Sequence, residues 1–491
     1  MTHAPQGDAS LLPPDHVITI FGADGNLARR ELLPALWHLA KEGFMPADFR
    51  VVGVGLKDMT TEDFVEFAGR AVDAFSSTDL TSPEWEEFTA KVVYVAHKFE
   101  PGATDQVAEA VRSARSALSE DARLLFHLAV PPTMFVPITN AIGESGLAGD
   151  ARAIYEKPYG SDAGSSRELN RSVHEVFHES QVFRIDHFLG QETVQNILVL
   201  RFANGMFEPV WDRNHIDHVQ IQVLEEIDIE TRAGFYEPMG ALKDMLVTHL
   251  FQVLSIVAME PPSSINSKAL IAEKTKVFQA MLPLEPQDVV RGQYGGYRDT
   301  EGVSKESGTE TFIACRLFID NWRWAGIPFY LRTGKALKQT ATRVTLAFKK
   351  PPRKMFDSMP QDGFGHDHLT LELGRNEGIA VSFLAKKPGP TISLGPARME
   401  FHYDSFESEL IGPYERLILD ALMGDRTLFT SAEGVERAWE AVAKTLENPP
   451  ELHEYERGSW GPPEADTLIE PHEWHLPTAR PGTTENRRTR S

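Results

Sequence analysis

Val17-Ile18-Thr19-Ile20-Phe21-Gly22-Ala23-Asp24-Gly25-Asn26-Leu27-Ala28 decides how this chain is read. Val17 to Phe21 is a short apolar, β-branched run, as expected of a buried strand. Glycines break it, and Arg29 to Ala40 then shows helical spacing through Leu32, Leu33, Leu36, Trp37 and Leu39. Strand, glycine turn and helix in that order form the first unit of a dinucleotide fold. The glycines let backbone N–H groups approach a pyrophosphate, which rests on the helix N-terminus. Gly22, Ala23, Asp24, Gly25, Asn26 and Leu27 are therefore candidate coenzyme-binding residues. The spacing is Gly-x-x-Gly-x-x-Ala, not Gly-x-Gly-x-x-Gly, and taken alone it fits an ordinary strand–helix turn equally well.

The next segments repeat the pattern. Val51-Val52-Gly53-Val54-Gly55 reads as a second strand, whose end meets the adenosine ribose. Lys57 there favours a 2′-phosphate and Asp58 a free hydroxyl, so NADP and NAD both stay open as cofactor. Lys91 to Val95, Leu124 to Val130 and Ala153 to Glu156 are further strands with helical stretches between them. This alternation predicts a doubly wound parallel sheet with helices on both faces, an α/β Rossmann-like domain over residues 16–185. Glu156-Lys157-Pro158-Tyr159-Gly160 ends the last strand, where ligands of open α/β sheets bind. Lys157 can touch cofactor and substrate there, or be a surface turn lysine.

After Gly190 the period changes. Ile216–Val223, Val344–Phe348, Leu369–Leu373, Ile379–Phe383 and Met399–Tyr403 alternate apolar with polar residues. Strands clustered without helices between them indicate a large antiparallel sheet. Gly240–Met259, Pro413–Met423 and Ser431–Leu446 read as helices. Residues 186–475 are thus expected to form an α+β substrate and dimerisation domain. Residues 1–15 read as a disordered lead and 476–491, with Arg487, Arg488 and Arg490, as a polar tail.

Composition narrows the function. The net charge of -22 argues against nucleic acid as a partner. It also repels anionic substrates at long range, so a local basic cluster must hold one. The one cysteine, Cys315, excludes an intrachain disulfide framework and a cysteine zinc site. No apolar run approaches the ~18 residues of a membrane span, and no signal peptide is evident. The expectation is a soluble, cytoplasmic protein without a membrane partner.

The chemistry concentrates in Arg184-Ile185-Asp186-His187-Phe188-Leu189-Gly190-Gln191-Glu192. A carboxylate beside a histidine can orient a second imidazole from elsewhere in the fold. Asp244-Met245-Leu246-Val247-Thr248-His249 supplies one. Two unrelated surface histidines are the alternative for so short a motif.

Together these pieces resemble the glucose-6-phosphate dehydrogenase family from about Val17 to about Leu476. The resemblance rests on the glycine turn, Glu-Lys-Pro-Tyr-Gly, Arg-Ile-Asp-His and Val194-Gln195-Asn196 with Leu200-Arg201-Phe202-Ala203-Asn204. It rests also on the Asp-x-x-x-x-His helix and on Leu331-Arg332-Thr333-Gly334-Lys335. It implies that His249 is the base that takes the proton of the sugar C1 hydroxyl, and that Asp186 orients it. A histidine titrates near ~6.5 in water, which suits a base at neutral pH. Hydride passes from C1 to NADP or NAD and a δ-lactone results, with no metal needed. Lys157 lies between cofactor and sugar, Glu225, Asp244 and Lys335 bind sugar hydroxyls, and His187 binds phosphate. The partner implied is a small-molecule sugar, and the assembly a homodimer or homotetramer through the antiparallel sheet.

The chain departs from the family where a 6-phosphate is held. Phe188 and Gln191 replace a tyrosine and a lysine, and Thr340 stands where a basic residue is usual. Charge-assisted hydrogen bonds contribute ~1.5–3 kcal/mol each, so these losses amount to several kcal/mol, about a thousandfold in affinity. Either bases such as Lys338 or Arg343 substitute, or the sugar differs at C6 and is unphosphorylated or otherwise substituted. Thr248 replaces an asparagine beside the base. Asp24 replaces a serine, unfavourable near pyrophosphate unless it caps the helix. Leu56 aligns with the arginine that holds a 2′-phosphate, with Lys57 one residue away. A different class of protein, a catalytically silent nucleotide-binding regulatory paralogue, is the remaining alternative.

Overall fold

The computed structural model describes residues 12–75, 80–98, 105–119, 121–230, 232–353, 355–356, 367–374, 377–403 and 411–477. Most of the expected lead and tail, with Arg487, Arg488 and Arg490, lies outside them.

Six strands form the first sheet: β1 (His16–Phe21), β2 (Phe49–Gly55), β3 (Val92–Ala96), β4 (Arg123–Leu128), β5 (Arg152–Tyr155) and β6 (Val182–Arg184). Their order is β3-β2-β1-β4-β5-β6 and every pairing is parallel. All of β1 is buried, which explains a run without alternation. The order reverses between β2 and β4 around β1, so a crevice for ligands opens at the end of β1. β6 is the strand that sequence periodicity missed, because three residues are too few to show a period. It ends at Arg184, two residues before Asp186.

The second sheet has nine strands: β7 (Ile216–Leu224), β8 (Val289–Tyr294), β9 (Phe312–Phe318), β10 (Pro328–Gly334), β11 (Ala341–Phe348), β12 (His368–Glu372), β13 (Gly378–Lys386), β14 (Leu394–His402) and β15 (Leu452–Tyr455). It is mostly antiparallel, but β10 runs parallel to β7 and β15 parallel to β8, so the sheet is mixed. Tyr294, Tyr297, Phe312, Tyr455 and Trp474 build its aromatic core. Cys315 is buried in β9, and burial pushes its thiol up to about 12, so it is a packing residue. Among the described residues no helix is long and apolar enough to cross a membrane.

The chain divides into two compact units, one of residues 1–208, 247–283 and 407–443 and one of 209–246, 284–406 and 444–491. This interleaving differs from the single boundary expected at 185/186. Helices Glu192–Phe202, Phe251–Ala258, Ser267–Ala280 and Pro413–Met423 serve the core of the parallel-sheet unit. Phe251–Ala258 is buried along its whole length. Its carbonyl end is closed by Arg201, whose guanidinium donates to Ile256 O (2.9 Å), Val257 O (3.1 Å) and Met259 O (2.7 Å), and to Glu208 Oε2 (3.1 Å). Buried carbonyls and a carboxylate would lose their donors together in Arg201→Met. That change is expected to cost about 3–5 kcal/mol in denaturant unfolding; a loss below about 1 kcal/mol would show that water replaces the guanidinium.

Candidate active site

The glycine turn sits at the end of β1. Gly22 N and Ala23 N donate to Val54 O of β2 (2.8 and 3.0 Å), and Ala129 N donates to Phe21 O (2.9 Å). Gly22 has φ +83°, and a Cβ there would lie 2.4 Å from Ala129 O, so the position admits only glycine. Gly25 N closes the turn on Gly22 O (3.0 Å). The chain then enters a π turn, Ala28–Leu32, before the α-helix Leu33–Lys41. This narrow glycine cradle at the switch point fits a dinucleotide pyrophosphate. Asp24 is not a helix cap, for its carboxylate turns to the backbone beyond β2 instead.

In the same unit, Asp186 and His249 meet. Residues 242–250 form a π-helix that continues as the helix Phe251–Ala258, and His249 lies near the junction. His249 Nδ1 is 2.6 Å from Asp186 Oδ1, and both side chains are buried. Phe188 N donates to the same oxygen (2.9 Å). The carboxylate therefore accepts from the Nδ1–H and leaves Nε2 as the acceptor nitrogen. Lys157 Nζ lies 2.6 Å from Nε2. Burial opposes the charge of Asp186, but the hydrogen-bonded His249, His187 and the Phe188 N–H outweigh it and hold the carboxyl below its ordinary range. Asp186, His187 and His249 offer polar atoms within 4.8 Å of one another, and both His249 nitrogens are engaged, Nδ1 by Asp186 and Nε2 by Lys157.

Neighbours support the pair. Glu156, next to Lys157, is held by His127 Nε2 (2.8 Å) and by Tyr414 Oη (3.3 Å). Burial and the Glu156 charge push the Tyr414 phenol far up, so it stays a donor. Phe188 stacks on His249 with ring centroids 4.5 Å apart, and His187 meets His249 edge-on at 4.7 Å. Lys274 is buried on Ser267–Ala280, where burial lowers its amine to about 8 against the pull of Asp186. Lys157, Asp186, Thr248 and Gln252 line a cleft beside the pair. Gln191 precedes Glu192–Phe202, and its Oε1 is buried without a hydrogen-bond partner among the described residues.

The remaining candidates lie in or at the margin of the mixed-sheet unit. Parallel register sets Gly334 of β10 beside Leu224 of β7, so the next residues, Lys335 and Glu225, emerge together and pair at 2.7 Å. Lys335 Nζ lies 5.6 Å from the Tyr236 ring centre. Tyr236 is buried, and burial followed by the Asp244 charge pushes its phenol well up. Asp244 is buried in the π-helix of residues 242–250. Thr340 Oγ1 accepts from Glu226 N (3.0 Å). Arg343, expected as a substitute cation, is buried, paired with Glu372 and bonded to His475 O, so it is already engaged. Lys338 is exposed beside Trp460. Tyr236, Tyr414, His127 and Lys274 were invisible in the sequence, since only tertiary packing brings them to these groups.

A parallel sheet of this order, a glycine turn at its switch point and a buried Asp–His pair beside a lysine define a dinucleotide-dependent dehydrogenase. The profile "Glucose-6-phosphate dehydrogenase, NAD binding domain" matches residues 19–196, and "Glucose-6-phosphate dehydrogenase, C-terminal domain" matches 198–476. The chain is 39% identical over 486 residues to glucose-6-phosphate 1-dehydrogenase 2 of Mycobacterium tuberculosis, covering 94% of each. It is 37% identical to glucose-6-phosphate 1-dehydrogenase of Chlamydia pneumoniae, over 93% of this chain and 95% of that one. The crystal structure of glucose-6-phosphate 1-dehydrogenase from Mycobacterium avium superposes with a TM-score of 0.86 at 35% identity, covering 96% of this chain and 100% of that chain. A glucose-6-phosphate dehydrogenase in complex with glucose 6-phosphate gives 0.87 at 29% identity, with the same coverage. The chain belongs to the glucose-6-phosphate dehydrogenase family.

Proposed function

We propose that this chain is an NAD(P)+-dependent glucose-6-phosphate 1-dehydrogenase. The observation that carries the reading is the buried His249–Asp186 bond, which points Nε2 at Lys157. A sugar C1 hydroxyl takes the place of Lys157 at Nε2 and gives up its proton there, while Asp186 steadies the imidazolium. Lys157 then remains within reach of the sugar. The bound nicotinamide coenzyme accepts the hydride from C1, and the sugar leaves as the δ-lactone. Glu225, Asp244 and Lys335 are assigned to sugar hydroxyls, and His187 and Gln191 to the 6-phosphate, on the family resemblance. Turnover of glucose 6-phosphate and of glucose with NADP+ and NAD+ tests the reading; no hydride transfer from any aldose would end it.

A second reading keeps the chemistry and changes C6. The neutral Gln191, the phenyl of Phe188 and the engaged Arg343 support it. Gln191→Lys with Phe188→Tyr is expected to raise kcat/KM for glucose 6-phosphate by about tenfold or more, by restoring one charge-assisted bond and a hydroxyl donor. An unaltered kcat/KM would refute this account of the phosphate grip.

The protein is proposed to work in the cytoplasm as a homodimer or homotetramer. Supporting the assembly, β14 comes last in the strand order of the mixed sheet among the described residues, and Met399 is 60% and Phe401 38% exposed on it. Sedimentation equilibrium reads it, and a monomer at micromolar concentration would count against it.

A further inference from the structure

The glycine turn carries a carboxylate that reaches across to the end of β2. Asp24 Oδ2 accepts from Leu56 N (3.1 Å) and Lys57 N (2.9 Å), the first residues beyond that strand. Gly55 makes room for it, since a Cβ there would lie 2.5 Å from Asp24 Oδ1 and 2.5 Å from Tyr94 Oη. In an open sheet of this order the adenosine ribose lies at this strand end. An acid there accepts from the 2′-hydroxyl, and an arginine accommodates a 2′-phosphate.

The groups present sort clearly between these two. Leu56 is 66% exposed and brings no charge. Lys57, the basic residue next in the chain, turns back and donates to Asp24 O (3.2 Å), with its Nζ 5.4 Å from the Phe67 ring centre. Tyr94 Oη donates to Lys57 O (2.9 Å). Its phenol is pushed up to about 12 by burial and then by the charges of Asp24 and Asp58, which places both carboxylates around this strand end. A phosphate carries about -1.5 to -2 charge at neutral pH and needs donors. Here the Leu56 and Lys57 N–H groups already serve Asp24, and the local side-chain charge is negative. A ribose hydroxyl is itself a donor and finds an acceptor.

We propose that Asp24 makes this enzyme select NAD+ over NADP+, by accepting the adenosine 2′-hydroxyl and repelling a 2′-phosphate. The inference rests on the coenzyme reading under Proposed function and names the residue that decides between the two coenzymes.

Calorimetric titration of the whole protein with NAD+ and with NADP+, without sugar, gives both Kd values. Wild type is expected to bind NAD+ at least about tenfold more tightly. Asp24→Asn keeps an oxygen for the two N–H groups and removes the charge, and is expected to shrink that ratio about tenfold through tighter NADP+ binding. Asp24→Ser serves the same comparison if the asparagine variant does not fold. A wild type that binds NADP+ as tightly as NAD+, or a ratio unmoved by either variant, overturns the selection and leaves the coenzyme reading standing. Binding of neither nucleotide overturns both.

Discussion

Asparagine in place of His249 is expected to lower turnover of glucose 6-phosphate by roughly 10²–10⁴-fold, the usual contribution of a positioned general base. The side chain is fully buried and its Nε2 is the acceptor presented beside Lys157. An amide of similar size keeps a hydrogen bond to Asp186 but cannot take a proton at neutral pH. Coenzyme binding should be spared, because the glycine turn at the end of β1 makes its own backbone contacts with β2. Steady-state rates and a nucleotide titration measure the two effects separately. Turnover close to wild type would remove His249 as the base. A wild-type chain that binds nucleotide and turns over no aldose would instead be the silent regulatory paralogue.

Asp186→Asn should be at least as damaging, with kcat falling by roughly 10³–10⁴-fold, as when a serine protease triad loses its carboxylate. Oδ1 accepts from both His249 and Phe188 N. An asparagine can present its NH2 to Nδ1, which moves the ring proton to Nε2 and disables the base. Because both residues act as one unit, the double variant is expected to be no slower than the worse single variant. Multiplied effects would mean that Asp186 works apart from His249. The same substitution has a signature in stability. The carboxyl lies below its ordinary range when folded, so its ionisation stabilises the fold in full above the unfolded value near ~3.9. That contribution is lost as pH falls through the lower folded value. Asp186→Asn should therefore flatten the acid limb of a stability–pH curve, and an unchanged limb would argue against the ionised pair.

Local pattern was enough for much of the architecture. β1, the glycine turn and the helix after it announce themselves because a strand buried on both faces must be apolar throughout and a backbone at φ +83° must be glycine. Alternation along β7 and β11–β14 follows from a sheet with two unlike faces. The residue types for proton removal were also legible, since Asp186, His249 and Lys157 stand in motifs with family precedent. Periodicity could not supply β6, which is too short, nor the parallel pairings of β10 with β7 and β15 with β8, which depend on partners far away in the chain.

Sequence by itself determined the class of fold and the glycine turn, because burial period and backbone sterics act within a few residues, and it named Asp186 and His249 as the candidate pair. Tertiary structure alone decided what each group faces. It set Nε2 of His249 against Lys157, tied Arg343 to Glu372, and turned Asp24 from the helix toward the end of β2. It also drew residues 247–283 and 407–443 into the unit of the parallel sheet. The physical reason is the same throughout: a side chain's hydrogen-bond and charge partners come from packing between distant segments, and no local period encodes them.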